Sequence, residues 1–341
     1  MADTWFWDGE DWTRLTRQGP MVWAYAWAFD AGRGVAVLHG GWGDTGPAFF
    51  TLSATWEWDG QTWRKVSDGV GPSKRGSSAM AYDPIRKGVV LHGGTLDIDG
   101  NAILSDTWFW DGVSWSEIPN AGGPKRTTHS MVYDERRQVM VLFGGIDARG
   151  SGPVDTWEFD GTQWRRVATN GPPGGREFPI LGYDAFRGVT ILTSGGEWLI
   201  DGFPDWKYFD DVWEWNGSQW IEVTPAGLRP QHVQGATGAY DPRRARLVQF
   251  GGTTDPDNHV VSNTSWEYGL PELRLAGINR QPNGNLVIPW TGGAPSYQLQ
   301  SRSHLTEGDW QDLGAPTDQT SVTVPPEDDA SFFRVFRVST P

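Results

Sequence analysis

Asp106–Gly145 reads D-T-W-F-W-D-G-V-S-W-S-E-I-P-N-A-G-G-P-K-R-T-T-H-S-M-V-Y-D-E-R-R-Q-V-M-V-L-F-G-G. Its phrases return along most of the chain. The double glycine recurs at Gly40-Gly41, Gly93-Gly94, Gly195-Gly196 and Gly251-Gly252, and the tryptophan of the opening phrase at Trp5, Trp56, Trp157, Trp213 and Trp266. A spacing of 49 to 56 residues held over six copies marks a repeat array.

Each unit reads as four short strands. Ser130–Tyr133 and Val139–Phe143 flank the turn D-E-R-R, and Thr107–Trp110 and Ser114–Ile118 flank Asp-Gly. Asp-Gly and Asn-Gly, present at the matching place in the other copies, predict a tight hairpin with positive φ at both central residues. Val35 and Val37 lie on one face of their strand, Ala36 and Leu38 on the other, so it is buried on both sides. Sheets of about 50 residues stacked face to face around an axis describe an all-β propeller.

The Gly-Gly, the Tyr-Asp at Tyr82, Tyr133, Tyr183 and Tyr240, and the paired tryptophans resemble kelch repeats, in the bacterial form rich in TWxWDGxxW. The resemblance covers residues 3 to about 269 and implies a kelch-type β-propeller of five to six blades, with the architecture of galactose oxidase. The strand count is 21, one too many for five four-stranded blades and three short of six. Two readings stand: the N-terminal strands complete the last unit of a five-bladed ring, or Met1-Ala2-Asp3-Thr4-Trp5 lies inside a repeat of a longer chain. The second is the expectation, and it explains why no basic and apolar leader precedes Asp3.

The repeat occupies residues 1–270. Residues 271–341 carry short alternating strands at Leu286–Thr291, Tyr297–Ser301, Trp310–Leu313, Thr320–Val324 and Phe332–Val338, a small antiparallel β-sandwich. Val287–Trp290, Tyr297–Gln300 and Ser331–Val335 resemble fibronectin type III-like domains of bacterial secreted proteins, which implies a spacer or anchor.

Composition narrows the chemistry. A net charge of −14 with dispersed Lys and Arg opposes a nucleic-acid surface. No apolar run approaches the roughly 18 residues of a membrane span. The absence of cysteine removes thiolate sites, disulfides and the Cys–Tyr cofactor that the resemblance to galactose oxidase implies. Arg75, Arg126 and Arg176 could imitate the arginine cluster of a sialidase, but an arginine recurring once per unit reads as a structural tie. His39 and His92 stand where Phe143 and Phe250 stand in other copies, as aromatics of the repeat. Asp97-Ile98-Asp99-Gly100-Asn101 alternates oxygen ligands, yet Ala102 and Trp108 occupy the places where a calcium loop needs Gly and Glu. A hairpin tip is the simpler reading, with calcium at Asp97, Asp99 and Asn101 as the alternative; otherwise no cofactor is expected.

Function is sought where the copies differ. The longest link between second and third strands, Glu197–Asp211, mixes aromatics with carboxylates: Trp198, Asp201, Phe203, Asp205, Trp206 and Tyr208. Trp42 in the first link and His129, just before an inner strand, extend the set. Such residues suit sugar rings or a protein partner, or they pack the link against its own blade. The expectation is non-catalytic recognition of a glycan or protein by a secreted or surface protein. A glycan-active lyase or hydrolase at the channel mouth is the rival, and a self-assembling surface-layer or filament subunit the third reading.

Overall fold

The computed structural model describes residues 3–44, 49–97, 100–172, 174–199, 205–225, 229, 233, 235–255, 260–269, 274–291, 297–302, 309–325 and 332–337. Every regular element among them is a β-strand, and no helix is long and apolar enough to cross a membrane. The chain divides into two compact units, Met1–Tyr240 with Val248–Trp266, and Asp241–Leu247 with Glu267–Pro341.

The repeat forms successive antiparallel sheets. Among the described residues Thr4–Trp7 pairs with Trp12–Thr16 alone. Four complete blades follow. Blade one holds Ala26–Asp30, Val35–His39, Thr55–Trp58 and Trp63–Ser67, and blade two Ala79–Asp83, Gly88–His92, Thr107–Trp110 and Trp115–Glu117. Blade three holds Thr127–Asp134, Val139–Ile146, Thr156–Phe159 and Trp164–Ala168, and blade four Ile180–Asp184, Val189–Thr193, Val212–Trp215 and Trp220–Glu222. The last sheet orders Thr237–Asp241, Arg246–Phe250 and Ser265–Gly269. These are the strands that the repeat predicts, in the predicted order. Among the described residues the N-terminal pair is a sheet of its own.

Blades pack through the inner strands. Ala26, Ala28 and Val37 of blade one share a core with Met80, Val89 and Leu91 of blade two. Ala79, Ala81 and Val90 of blade two share the next with Met131, Tyr133 and Leu142 of blade three. Alternate residues of each Val-rich strand thus serve opposite neighbours, as burial on both faces requires. A tryptophan opening each fourth strand adds a polar tie: Trp115 Nε1 donates to Thr55 Oγ1 at 2.8 Å, Trp164 to Thr107 at 3.0 Å and Trp220 to Thr156 at 2.8 Å. The same indoles pack, edge-on or tilted, against the residue ending the second strand of the preceding blade, in the pairs His39–Trp115, His92–Trp164 and Phe143–Trp220. The two histidines therefore do the work of phenylalanine, as expected.

Two details differ from expectation. The Asp-Gly hairpins are not two-residue turns. Trp110 pairs with Trp115 across four residues, Gly112 alone of them has positive φ (95°), and Asp111 Oδ1 accepts the amides of Val113 and Ser114. The aspartate contributes as a side-chain cap, which its short carboxylate permits. In blade four the double glycine is displaced by one residue. Glu177 faces Gly196 as Gly76 faces Thr95, so Ser194 (φ 58°) and Gly195 hold the places of Gly93 and Gly94.

The glycine pair is needed for both reasons that its residue type allows. Gly93 has φ 64°, and a Cβ there would lie 2.4 Å from the Arg126 carbonyl oxygen of the next blade; Gly94 N donates to that same oxygen at 2.9 Å. Gly93→Ala is expected to lower stability by about 3 kcal/mol, with backbone strain adding to the αL cost. Gly251→Ala, where the nearest atom is Ser262 O at 3.6 Å, should cost about 1 kcal/mol. Urea denaturation of both variants checks the difference.

The second unit contains two antiparallel sheets. One is built on Leu286–Thr291 with Ser321–Val324, the other on Tyr297–Arg302 with Phe332–Arg337. Ile288, Trp290, Tyr297, Leu299 and Val324 form the core that both sheets share. This is the expected sandwich.

Candidate functional site

The recurrent arginines are ties. Arg75 donates to both carboxylate oxygens of Asp106 at 2.7 and 2.6 Å and to Gly93 O at 2.9 Å. Arg126 donates to one oxygen of Asp155 and to Gly144 O, and Arg176 to both oxygens of Asp211. Each aspartate also accepts the indole N–H of the tryptophan two residues on, Trp108, Trp157 or Trp213, at 2.7–2.8 Å. The phrase D-T-W is thus the receiving half of a buried ion pair. Where the arginine is replaced, by Val22 in blade one and Val233 in the last, the aspartate is replaced too, by Ala54 and Thr264. With their guanidiniums buried and engaged, these residues do not form a substrate cluster.

After the glycine pair the chain extends the inner hairpin. Trp23 bridges Trp42, Gly76 bridges Thr95, Thr127 pairs with Ile146 and Glu177 bridges Gly196. The links between second and third strands therefore lie beside the segments entering the inner strands. Three links form small hairpins of their own: Trp42–Asp44 with Phe49–Thr51, Gly196–Leu199 with Asp205–Tyr208, and Thr253–Asp255 with Val260–Val261.

The proposed ligand residues fare differently. Trp42 is 4% exposed, its ring 5.9 Å from that of Trp23 and over Gly76, so it is core rather than recognition surface. His129 is 6% exposed and packs edge-on against His92, 5.7 Å between centroids, instead of facing an opening. Burial and the nearby His92 and Arg126 hold its pKa well below the ordinary value. Trp198 stands opposite Trp206, and Asp205 opposite Leu199, in the ladder of the long link. Tyr208 is half-buried at its base. Asp201 and Phe203 lie outside the described residues. Asp97 Oδ1 accepts the Asn101 amide at 2.8 Å and Thr95 bridges Ile103, the geometry of a hairpin tip; Asp99 lies outside the described residues. No group of three or more acidic or histidine side chains is placed to hold a metal among the described residues.

The sequence counts Phe209 among the aromatics of the long link without giving it a separate role, and it does not single out Glu177. Phe209, 5% exposed, lies under the Arg176 guanidinium at 3.9 Å and fixes the long hairpin to blade four. Its place beside the recurrent Asp211 was the available signal. Glu177 borders a cleft of about 190 Å³ between the link of blade three and the long hairpin of blade four, lined also by Ser151, Gly152, Gly175 and Glu197. Burial raises the Glu177 pKa, opposed by a hydrogen bond from Thr128 Oγ1 at 3.2 Å. Two carboxylates over a glycine-lined wall offer acceptors to hydroxyls or to a cationic group, with backbone open to close approach.

A search of protein-family models found no match, and a search of curated proteins found none. Among solved structures the chain is similar to YjhT, a β-propeller protein, with a TM-score of 0.59 and 15% identity over 75% of this chain and 84% of that one. The stacked sheets, their inter-blade ties and this likeness together show an all-β protein built on a β-propeller.

Proposed function

We propose that the chain is a kelch-type propeller with a fibronectin III-like domain, acting outside the cell as a non-catalytic recognition module for a glycan or protein. The observation that carries this reading is the long hairpin Gly196–Tyr208, added to a regular blade and bordering the Glu177–Glu197 cleft. Acceptors beside aromatic residue types suit hydroxyl-rich or basic ligands, and Trp is a preferred anchor in recognition surfaces. On a glycan array and in pull-downs, Trp198→Ala and Trp206→Ala should each weaken binding about tenfold or more, and Glu177→Gln with Glu197→Gln should remove the preference for basic or hydroxylated ligands. Unchanged binding by all three variants would rule out this face. The rival, a glycan-active enzyme, draws on the raised pKa of Glu177 beside Glu197. Turnover of polysaccharide, lost in Glu177→Gln, would select it.

A further inference from the structure

The hairpins that join third and fourth strands share one cap. Asp8 Oδ1 accepts the amides of Glu10 and Asp11, Asp59 those of Gln61 and Thr62, Asp111 those of Val113 and Ser114, and Asp160 those of Thr162 and Gln163, all at 2.7–2.9 Å. In blade four the capping residue is Asn216, and its carboxamide oxygen takes the same place. It accepts the Ser218 amide at 2.9 Å, the Gln219 amide at 3.0 Å and the Ser218 hydroxyl at 2.8 Å. Gly217 follows it, as a glycine follows each of the four aspartates.

A carbonyl whose oxygen is held by three donors is polarised toward attack, because the donors stand where negative charge develops. The attacking group is next in the chain. Gly217 N makes no hydrogen bond among the described residues, Asn216 is exposed to water, and Gly217 has no side chain to crowd the approach. The other two Asn-Gly pairs of the chain, at Asn170 and Asn283, lack this combination. Gly284 N is spent on Gln281 O at 2.9 Å, and the Asn283 oxygen accepts a single amide, that of Asn285 at 3.1 Å. The Asn170 carboxamide has no donor among the described residues. The backbone at Gly171 is packed, since a Cβ there would lie 2.4 Å from Val154 O and 3.0 Å from the Phe143 ring.

We infer that Asn216 is a modification site at which the chain converts its own asparagine to aspartate, with water as the only co-reactant. Gly217 N bonds to Cγ of Asn216 as it gives up its proton. The Cγ–Nδ2 bond breaks, and the nitrogen leaves as ammonia with that proton. One water then opens the cyclic imide. Opening at Cγ restores the Gly217 N–H and leaves a side-chain carboxylate; opening at the main-chain carbonyl leaves isoaspartate, with an extra carbon in the backbone. The fold discriminates between them. The carboxylate regains the cap of the other four hairpins, where the amides of Thr62 and Gln61 hold Asp59, and those of Ser114 and Val113 hold Asp111, below the ordinary carboxylate range. Isoaspartate lengthens the loop between Trp215 and Trp220, whose indoles are fixed to Glu158 and Thr156 of blade three at 3.0 and 2.8 Å. It closes the imide again with loss of water, and the population drains to aspartate.

The test is peptide mapping by mass spectrometry of the full chain held at neutral pH, folded and in urea, with isoaspartate scored by its methyltransferase. In the folded chain Asn216 should convert about tenfold faster, or more, than Asn170 and Asn283. Aspartate should exceed isoaspartate there about tenfold, because isoaspartate loses the cap. In urea the three sites should convert at similar rates, with isoaspartate in excess. Asn216→Asp should have a urea midpoint at or above that of the unconverted chain. A folded chain in which Asn216 converts no faster than Asn283, or stays intact while urea releases it, would overturn the site. An excess of isoaspartate at Asn216 in the folded chain, or a lower midpoint for Asn216→Asp, would overturn the conversion to aspartate.

Discussion

Asp106→Ala is expected to cost about 3–5 kcal/mol, and adding Arg75→Val is expected to return most of it. Removing one member of a buried ion pair leaves an uncompensated charge, whereas replacing both by apolar residues is close to neutral. Arg75 has no exposed surface, so in the single variant its guanidinium keeps Gly93 O and Ser73 but loses both anionic acceptors. Trp108 loses its acceptor as well. Blade one, with Val22 and Ala54, already carries an apolar version of the tie, and the last sheet, with Val233 and Thr264, an uncharged one. For a unit of this size the single change corresponds to a melting temperature lower by roughly 10 °C. A double-mutant cycle by urea denaturation should give a coupling of about 2–3 kcal/mol. A double variant as unstable as Asp106→Ala would show that the arginine's backbone bonds, not its charge balance, hold the blade.

Acid should unfold the propeller before its carboxylates are protonated. His39 is pushed down to about 3 by burial and by Arg75, and His92 to about 4 mainly by burial. Burial pushes His129 down further still, well below the ordinary value. All three are neutral when folded and titrate near 6.5 when unfolded. Below that pH the unfolded chain binds more protons, so the stabilising contribution is full above 6.5 and falls as pH drops toward 4 and 3. Three such groups give a slope of up to about 4 kcal/mol per pH unit. The denaturation midpoint of the whole chain should therefore fall steeply between pH 6.5 and 4. His92→Phe, the residue type that Phe143 and Phe250 place at the same position, should remove about one proton from that slope at the cost of the hydrogen bonds to Thr107 and Pro124. A midpoint flat from pH 7 to 5 would mean that the histidines are charged in the folded protein.

Most of the propeller was legible because it is written several times. A Val-rich strand before Gly-Gly, or a tryptophan either side of Asp-Gly, is a local pattern whose repetition removes ambiguity between strand and loop. The arginine ties were legible as ties for the same reason, and the matched loss of Arg and Asp in two copies would have named the partners. What failed were features set by neighbours outside the repeat's own phrase. Trp42 follows a glycine pair and looks like a loop residue, but the bridge to Trp23 turns it inward. His129 looks like a rim residue because it precedes the Tyr-Asp strand; the extension of that strand back to Thr127 brings it against His92 of the preceding blade. Phe209 belongs to the variable link by sequence and to the blade by contact with Arg176. Glu177 was missed because a cleft between two blades has no signature in either one.

The hairpins that begin each outer strand pair also carry an optical consequence. Trp7–Trp12, Trp58–Trp63, Trp110–Trp115 and Trp215–Trp220 hold their indoles 5.3–5.6 Å apart at interplanar angles of 37–42°. Blade three has Phe159 against Trp164 in their place. Indoles at that separation and tilt share their excited states, so each pair gives an exciton doublet in circular dichroism, and four nearly identical geometries reinforce one another. The chain thus carries an intrinsic gauge of blade integrity. Replacing one partner of a pair by phenylalanine should subtract about a quarter of the signal without a label, as blade three already does by nature.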